Sequence, residues 1–359
     1  MSYVTSVLND CPDLQAELDQ YFNVCDASLL PDPAPLNEFL WSGLNRSGIQ
    51  QLISPGNGKV RTVQLRYDQR LLESAVTTVD GCTTNCSATT RRGDLITEYT
   101  IDTCNTLQVE ELIKSNDMKA ACRSNPQIVL KKIAMLMKAM EAKVATSMTA
   151  LAIAKYGAWQ ANVQNTVTDA TGNAKKALKL QTKRPTAFTD VNPEAFYDLQ
   201  LALKQSNYCN GAAVFAGYDL AKYAGLMQAG CCSNQGIDLG EILNQYGVAV
   251  MWDRRFENAM GHEYGMALMP GALQPIYFNQ AIQSPAQAAG VTTGTNYEEM
   301  IMFTMNGIPV DVILSDNCGN FSIIVRATVD LKALPTDMFA PGDNMEGVTF
   351  VNKLKVINA

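Results

Sequence analysis

Histidine is nearly absent from this chain: of 359 residues only His262 is one. Ser–His and Cys–His catalysis therefore have a single candidate base, and no nucleophile motif accompanies it. His262 sits in GHEYG, which lacks the second histidine of a zinc-protease helix. Long apolar runs are missing too. The longest charge-free run in the most apolar stretch, Val144 to Ala154, is about half of the roughly 20 residues a membrane span needs, so no membrane association is expected. The first 20 residues carry Asp10, Asp13, Glu17 and Asp19 and lack an apolar h-region, so no secretory signal is expected. Internal repeats and low-complexity segments are absent.

Other near-motifs fail on specific positions. PGNGK at 55–59 approaches a phosphate loop, but Ile53 stands where the first glycine belongs and Val60 where Ser or Thr belongs. A plain turn explains it better. Of the ten cysteines, Cys82 and Cys86 make one close pair, with Cys104, Cys122, Cys231 and Cys232 elsewhere. Zinc sites show two such knuckles, and without a secretory signal the thiols are expected to be reduced during folding. Arg92-Gly93-Asp94 is a three-residue match of the integrin type, which a polar loop tip supplies by chance. No metal, cofactor or catalytic residue is assigned. An enzyme using carboxylates alone, for instance Glu263 or Asp253, would need two convergent acids, and no spacing brings a pair together.

Charge is scarce and unevenly spread. Charged residues make up 18% and hydrophobic ones 47%, as in a soluble globular protein. The formal net charge of -7 conceals an acidic stretch over 1–60, with seven acids against Arg46 and Lys59. Residues 122–184 instead hold eleven bases against Glu141 and Asp169. The middle of the chain could face a polyanion. The run Lys175, Lys176, Lys179, Lys183 and Arg184 has no interleaved aromatics, so it would contact phosphates without reading bases.

The longest periodic stretch, 124–158, predicts one helix of roughly 33 residues, or about 50 Å. Ser124 is the expected N-cap, Pro126 suits the first turn, and Tyr156-Gly157 is a plausible stop. Leu130, Ile133, Met137, Met140, Val144, Met148 and Leu151 share one face. Lys131, Lys132, Lys138 and Lys143 lie on the other side. The heptad is broken and Glu141 flanks the stripe, so a strut inside a fold is preferred to a coiled coil.

Around that strut the chain reads as follows. Residues 1–59 form an acidic arm with an amphipathic patch (Leu14, Leu18, Tyr21, Phe22) and the loop PDPAP at 31–35. Alternating strands at 60–67 and 95–101 make a long excursion over 60–105, with Arg91, Arg92 and Asp94 near its tip as a candidate inter-subunit loop. Two strands bury too little to stand alone, so a partner surface is implied. Residues 163–190 read as a basic loop. Helices are expected from Asn192, at 219–227 and at 238–246, and strands at 212–215, 248–252 and 274–278, the last two around Pro270-Gly271. Asn306-Gly307 and SDNCGN (315–320) join strands 300–305, 308–314 and 321–328 into a meander. A final strand at 348–356 returns to a sheet. The class is α+β.

This order resembles the major capsid proteins of tailed bacteriophages, the HK97-like fold, with its N-terminal arm, extended β-hairpin loop, long spine helix, and peripheral and axial domains. GAAVFAGYDLAKY, QGIDLGEILNQYGVAVMWDRRFENAMG and YGMALMPGALQPIYFNQ between 211 and 280 are similar to the family's axial domains. The resemblance implies an arm at 1–59, an extended hairpin at 60–105, a peripheral domain with the spine helix at 106–190 and 300–359, and an axial domain at 191–299. It implies a structural subunit, assembling in the bacterial host cytoplasm into hexamers and pentamers of an icosahedral virion shell around double-stranded DNA. Portal, scaffolding and decoration proteins are candidate partners. Lys131, Lys132, Lys138, Lys175, Lys176 and Lys179 are the candidate DNA-facing bases. The family's cross-linking residues find no counterpart here. The alternative is an encapsulin-like compartment shell, or a tail or decoration protein.

Overall fold

A computed structural model describes residues 33–44, 50–53, 60–67, 95–102, 106–114, 125–155, 164–168, 174–181, 213–222, 249–268, 271–278, 291–293, 296–305, 308–317, 320–333 and 351–357. The elements in chain order are α1 (Pro35–Leu44), β1 (Gln50–Ile53), β2 (Val60–Tyr67), β3 (Leu95–Asp102), β4 (Leu107–Lys114), α2 (Asn125–Ala154), β5 (Gln164–Thr168), β6 (Ala174–Gln181), β7 (Ala213–Ala216), β8 (Ala249–Trp252), α3 (Arg254–Met260), β9 (Tyr264–Leu268), β10 (Leu273–Phe278), β11 (Val291–Thr293), β12 (Asn296–Met305), β13 (Ile308–Asn317), β14 (Asn320–Ala333) and β15 (Val351–Ile357). The class is α+β.

α2 is the long helix expected from periodicity. Leu130, Ile133, Met137, Met140, Val144 and Met148 are buried, and Leu151 is half-buried against the same cluster. Val129, Ala134, Leu136, Ala145 and Ala152 are buried as well, so the apolar face is wider than one stripe. It packs on β4 and β14. The expected cap Ser124 and stop at Tyr156-Gly157 lie outside the described residues.

The meander forms as read, with β12, β13 and β14 antiparallel. Met305 pairs with Ile308 and Asn317 with Asn320, leaving two-residue connections at both turns. β14 alternates buried Phe321, Ile323, Val325 and Ala327 toward the core. Over 320–327 it also pairs with β4, and over 328–333 with β10. No strand is expected at 107–114 from the sequence, because Glu110 and Glu111 interrupt its apolar residues. Pairing with β14 makes it one, with Gln108, Glu110, Leu112 and Lys114 on the exposed side.

A second six-stranded sheet has the order β5-β6-β15-β9-β7-β8. Here the basic loop expected over 163–190 is corrected: β5 and β6 form an antiparallel hairpin, and β6 runs parallel to β15. The segment is too polar to show a strand pattern, and its pairing with residues far along the chain supplies the backbone hydrogen bonds that sequence cannot reveal. The strands flanking Pro270-Gly271 are not partners either. β8 pairs with β7, β10 pairs with β14, and α3 and β9 intervene. Thus β10 pairs with β14, and β15 with β9, across the boundary expected at residue 300. The helices expected from Asn192 and at 238–246 lie outside the described residues. That at 219–227 is described only to 222, where 218–222 is helical.

The excursion is a three-stranded antiparallel sheet, because β1 adds to β2. Val63, Leu65 and Ile101 are buried against Ile276 and Phe278 of β10, and the Tyr99 hydroxyl donates to the Ala333 carbonyl at 3.1 Å. The base of the excursion therefore finds its apolar cover within its own chain rather than on a partner. α1 follows the expected loop, of which 33 and 34 are neither helix nor strand, and adds a helix over Pro35–Leu44 that the sequence reading does not assign. Pro35 occupies the first helical position, and Leu36, Leu40 and Trp41 are buried in the main core, where Phe39 meets Phe215 edge-on at 5.3 Å.

Candidate assembly surface around the third helix

α3 begins at the sequence WDRRFENAMG, an aspartate ahead of a short apolar-periodic run closed by glycine. Asp253 caps it: Oδ1 accepts from the amides of Arg255 and Phe256, each at 2.9 Å. Its Oδ2 accepts from the amide of Leu36, at 3.1 Å, in the first turn of α1. One carboxylate, 1% exposed, thus satisfies orphan donors of two helices 217 positions apart. This is how the segment from Pro33 onward is seated, with Arg255 Nη1 donating to the Pro33 carbonyl at 3.2 Å. The Asp253 oxygens are thereby occupied, and what holds them is architecture. Glu263, the other carboxylate considered, is half-buried two residues past the end of the helix cap.

One turn further, Glu257 gathers the loops around α3. Its Oε2 accepts from the Tyr218 amide at 2.9 Å and from Trp252 Nε1 at 2.5 Å. Its Oε1 meets His262 Nδ1 at 2.6 Å. The lone histidine is therefore an exposed partner of a structural carboxylate. Trp252 and Tyr218 nevertheless remain 46% and 48% exposed, and Lys222 Nζ lies 5.8 Å from the Tyr218 ring centre. Sequence reading missed Glu257, Trp252 and Tyr218. The aspartate cap is a local signal, but the convergence on Glu257 requires β7 and β8 side by side.

Gly217 makes this packing possible. A Cβ there would stand 2.5 Å from the His262 carbonyl oxygen and 2.6 Å from that of Gly261, both backbone atoms. The close approach is fixed by Gly217 N–H donating to Tyr264 O at 2.8 Å and Asp219 N–H to His262 O at 3.1 Å. Gly217→Ala is expected to cost roughly 1–3 kcal/mol by overpacking, measured as a shift of the denaturant midpoint with unchanged slope.

Of the candidate bases, Lys132 pairs with Glu111 of β4 at 2.5 Å and Lys138 with Glu141 at 3.4 Å. The flanking Glu141 is thus balanced on its own helix. Lys131 is half-buried. Lys175, Lys176 and Lys179 lie on β6, where Lys179 is the register partner of Lys355 on β15. Arg91, Arg92 and Asp94 lie outside the described residues, as do all ten cysteines. Among the described residues no helix is long and apolar enough to cross a membrane, and no group of three or more His, Cys, Asp or Glu side chains could hold a metal.

No family model matches the chain, and no curated protein matches it. Similar solved structures include the cyanophage A-1(L) capsid asymmetric unit, at 11% identity and TM-score 0.45, covering 94% of this chain and 99% of that one. The capsid structure of cyanophage P-SCSP1u is similar at 10% identity and TM-score 0.41, covering 85% of each chain. A Mycobacterium phage Che8 chain is similar at 9% identity and TM-score 0.39, covering 86% of this chain and 92% of that one.

Proposed function

We propose that this chain is the structural subunit of a bacteriophage shell with the HK97-like arrangement, assembling into an icosahedral capsid around double-stranded DNA. The observation that carries the reading is the layer in which the 30-residue α2 lies on β4 and β14, with the β1–β3 excursion leaving from its own anchor on β10. A helix of about 45 Å seated on one sheet suits the spine of a broad, thin subunit, and an excursion whose described base packs on β10 suits a loop that reaches a neighbour. The family resemblance read from the sequence supports the same order of arm, excursion and spine. The function asks for surfaces that meet copies of themselves and for no catalytic set.

Within this reading, 1–59 is the arm, 60–105 the extended loop, 106–190 with 300–359 the peripheral domain and 191–299 the axial domain, with β10 and β15 tying the last two together. The shell interior is assigned to the basic residues. Lys132 and Lys138 share part of their charge with Glu111 and Glu141, and Lys131, Lys175, Lys176 and Lys179 complete the proposed set. Such contact would be independent of base sequence and would weaken steeply with salt.

Electron microscopy of the purified, concentrated protein tests the proposal. Closed particles of uniform diameter are the expected result. A chain that stays monomeric at high concentration, and is absent from virions, overturns it. Particles that enclose protein cargo in place of DNA would instead establish a compartment shell.

A further inference from the structure

Pro33 and Leu36, at the start of the first described segment, are held at α3, where Arg255 donates to the Pro33 carbonyl and Asp253 accepts from the Leu36 amide. Residues 1–32 contain Asp10, Asp13, Glu17, Asp19, Asp26 and Asp32 and no lysine or arginine. They also carry the apolar group Leu14, Leu18, Tyr21 and Phe22. The surface beside their point of departure is complementary. Trp252 and Tyr218 are two of the three large hydrophobic side chains most exposed among the described residues. Glu257 holds the Trp252 indole N–H and the Tyr218 backbone amide, so the ordering cost of a contact is met in advance for the Trp252 ring. Among the described residues of the elements that carry these rings, the charged side chains are Arg254, Arg255, Lys222 and Glu263, with Asp219 and Asp253 buried and Glu257 engaged by three donors; Lys222 lies over the Tyr218 ring and Arg255 also holds the Pro33 carbonyl.

We propose that residues 1–32 dock on the Tyr218–Trp252 surface of their own chain. The apolar side chains lie on the two rings, and the acids face Arg254, Arg255 and Lys222. Reach is sufficient: the eleven residues from Phe22 to Pro33 extend up to about 37 Å, while α3 is only about 10 Å long. The tether favours the chain's own surface, because a short linker supplies a millimolar effective concentration. This proposal does not depend on the shell reading, which particle imaging scores separately, so either can fail alone.

The test is zero-length carbodiimide coupling of the full chain, mixed equally from unlabelled and nitrogen-15 protein and read by mass spectrometry. Cross-links from Lys222 to acids between Asp10 and Asp32, within isotopically pure chains, are expected. Hydroxyl-radical oxidation of Trp252 should rise several-fold when residues 1–31 are deleted, and fall again when a peptide of residues 1–32 is added. The arm variant Asp10→Asn, Asp13→Asn, Glu17→Gln and Asp19→Asn should also raise Trp252 oxidation while the far-UV circular dichroism of the folded chain is kept and the melting transition falls only by the lost docking. Mixed-isotope cross-links would overturn the proposal by seating the arm on another copy. Trp252 oxidation that is indifferent to the arm would overturn it outright.

Discussion

Met137→Asp is expected to remove roughly 5 kcal/mol of stability or to abolish folding, because an unpaired carboxylate enters a site with no access to water. Met137 is fully buried midway along α2, in a cluster with Ile133, Met140, Val144 and the inner faces of β13 and β14. The nearby Lys138 offers little rescue. It is bound to Glu141, which stands one helical turn after position 137 and would repel a new carboxylate. Either the charge stays buried or the residue binds a proton, and both routes cost free energy. Ala139→Asp on the exposed side of the same helix is the control. Its helix-propensity loss, below about 1 kcal/mol, is at least as large as that of Met137→Asp because alanine is the better helix former, and it comes without the burial. Denaturant unfolding of the two variants isolates the burial term. Equal midpoints would mean that the stripe does not face a core. Met137→Leu, which conserves volume, should cost less than about 1.5 kcal/mol.

Asp253→Ala is the second large effect, expected at about 3–5 kcal/mol. It removes one charged acceptor from three buried or partly buried amides, those of Leu36, Arg255 and Phe256. Loss of a helix cap alone costs about 0.5–2 kcal/mol, and each hydrogen bond to a charged group about 1.5–3. Since one carboxylate serves all three, the losses overlap and do not sum. Asp253→Asn separates the roles. Its single carbonyl oxygen can keep the α3 amides, but its NH2 then faces the Leu36 N–H, donor against donor. The asparagine variant should therefore lie between wild type and alanine in stability. It should also expose the Pro33 region to protease before α3 or β9 is cut. Equal stability of all three proteins would show that the double cap contributes nothing.

These effects differ in how far a linear reading could foresee them. The burial of Met137 follows from steps of three and four between apolar residues. That period survives in any context, because an α-helix repeats every 3.6 residues. The same holds for Val63 and Leu65 on β2, which alternate with polar residues, and for the Asn306-Gly307 turn that sets the β12–β13 register. The role of Asp253 in capping α3 is local and legible. Its grip on α1 is not, since Leu36 lies 217 positions away.

What the sequence determined by itself was the long amphipathic helix, the meander and the α+β class, all written in periods shorter than a dozen residues. Tertiary structure alone decided that β4 and the β5–β6 hairpin are strands, that β15 enters between β6 and β9, and that β1 and β10 give the excursion a base. It also decided that Trp252, Tyr218 and His262 converge on Glu257. The reason is common to all of them. A backbone amide or a carboxylate can be satisfied by any suitably placed partner, and the identity of that partner leaves no mark on the neighbouring residues in the chain.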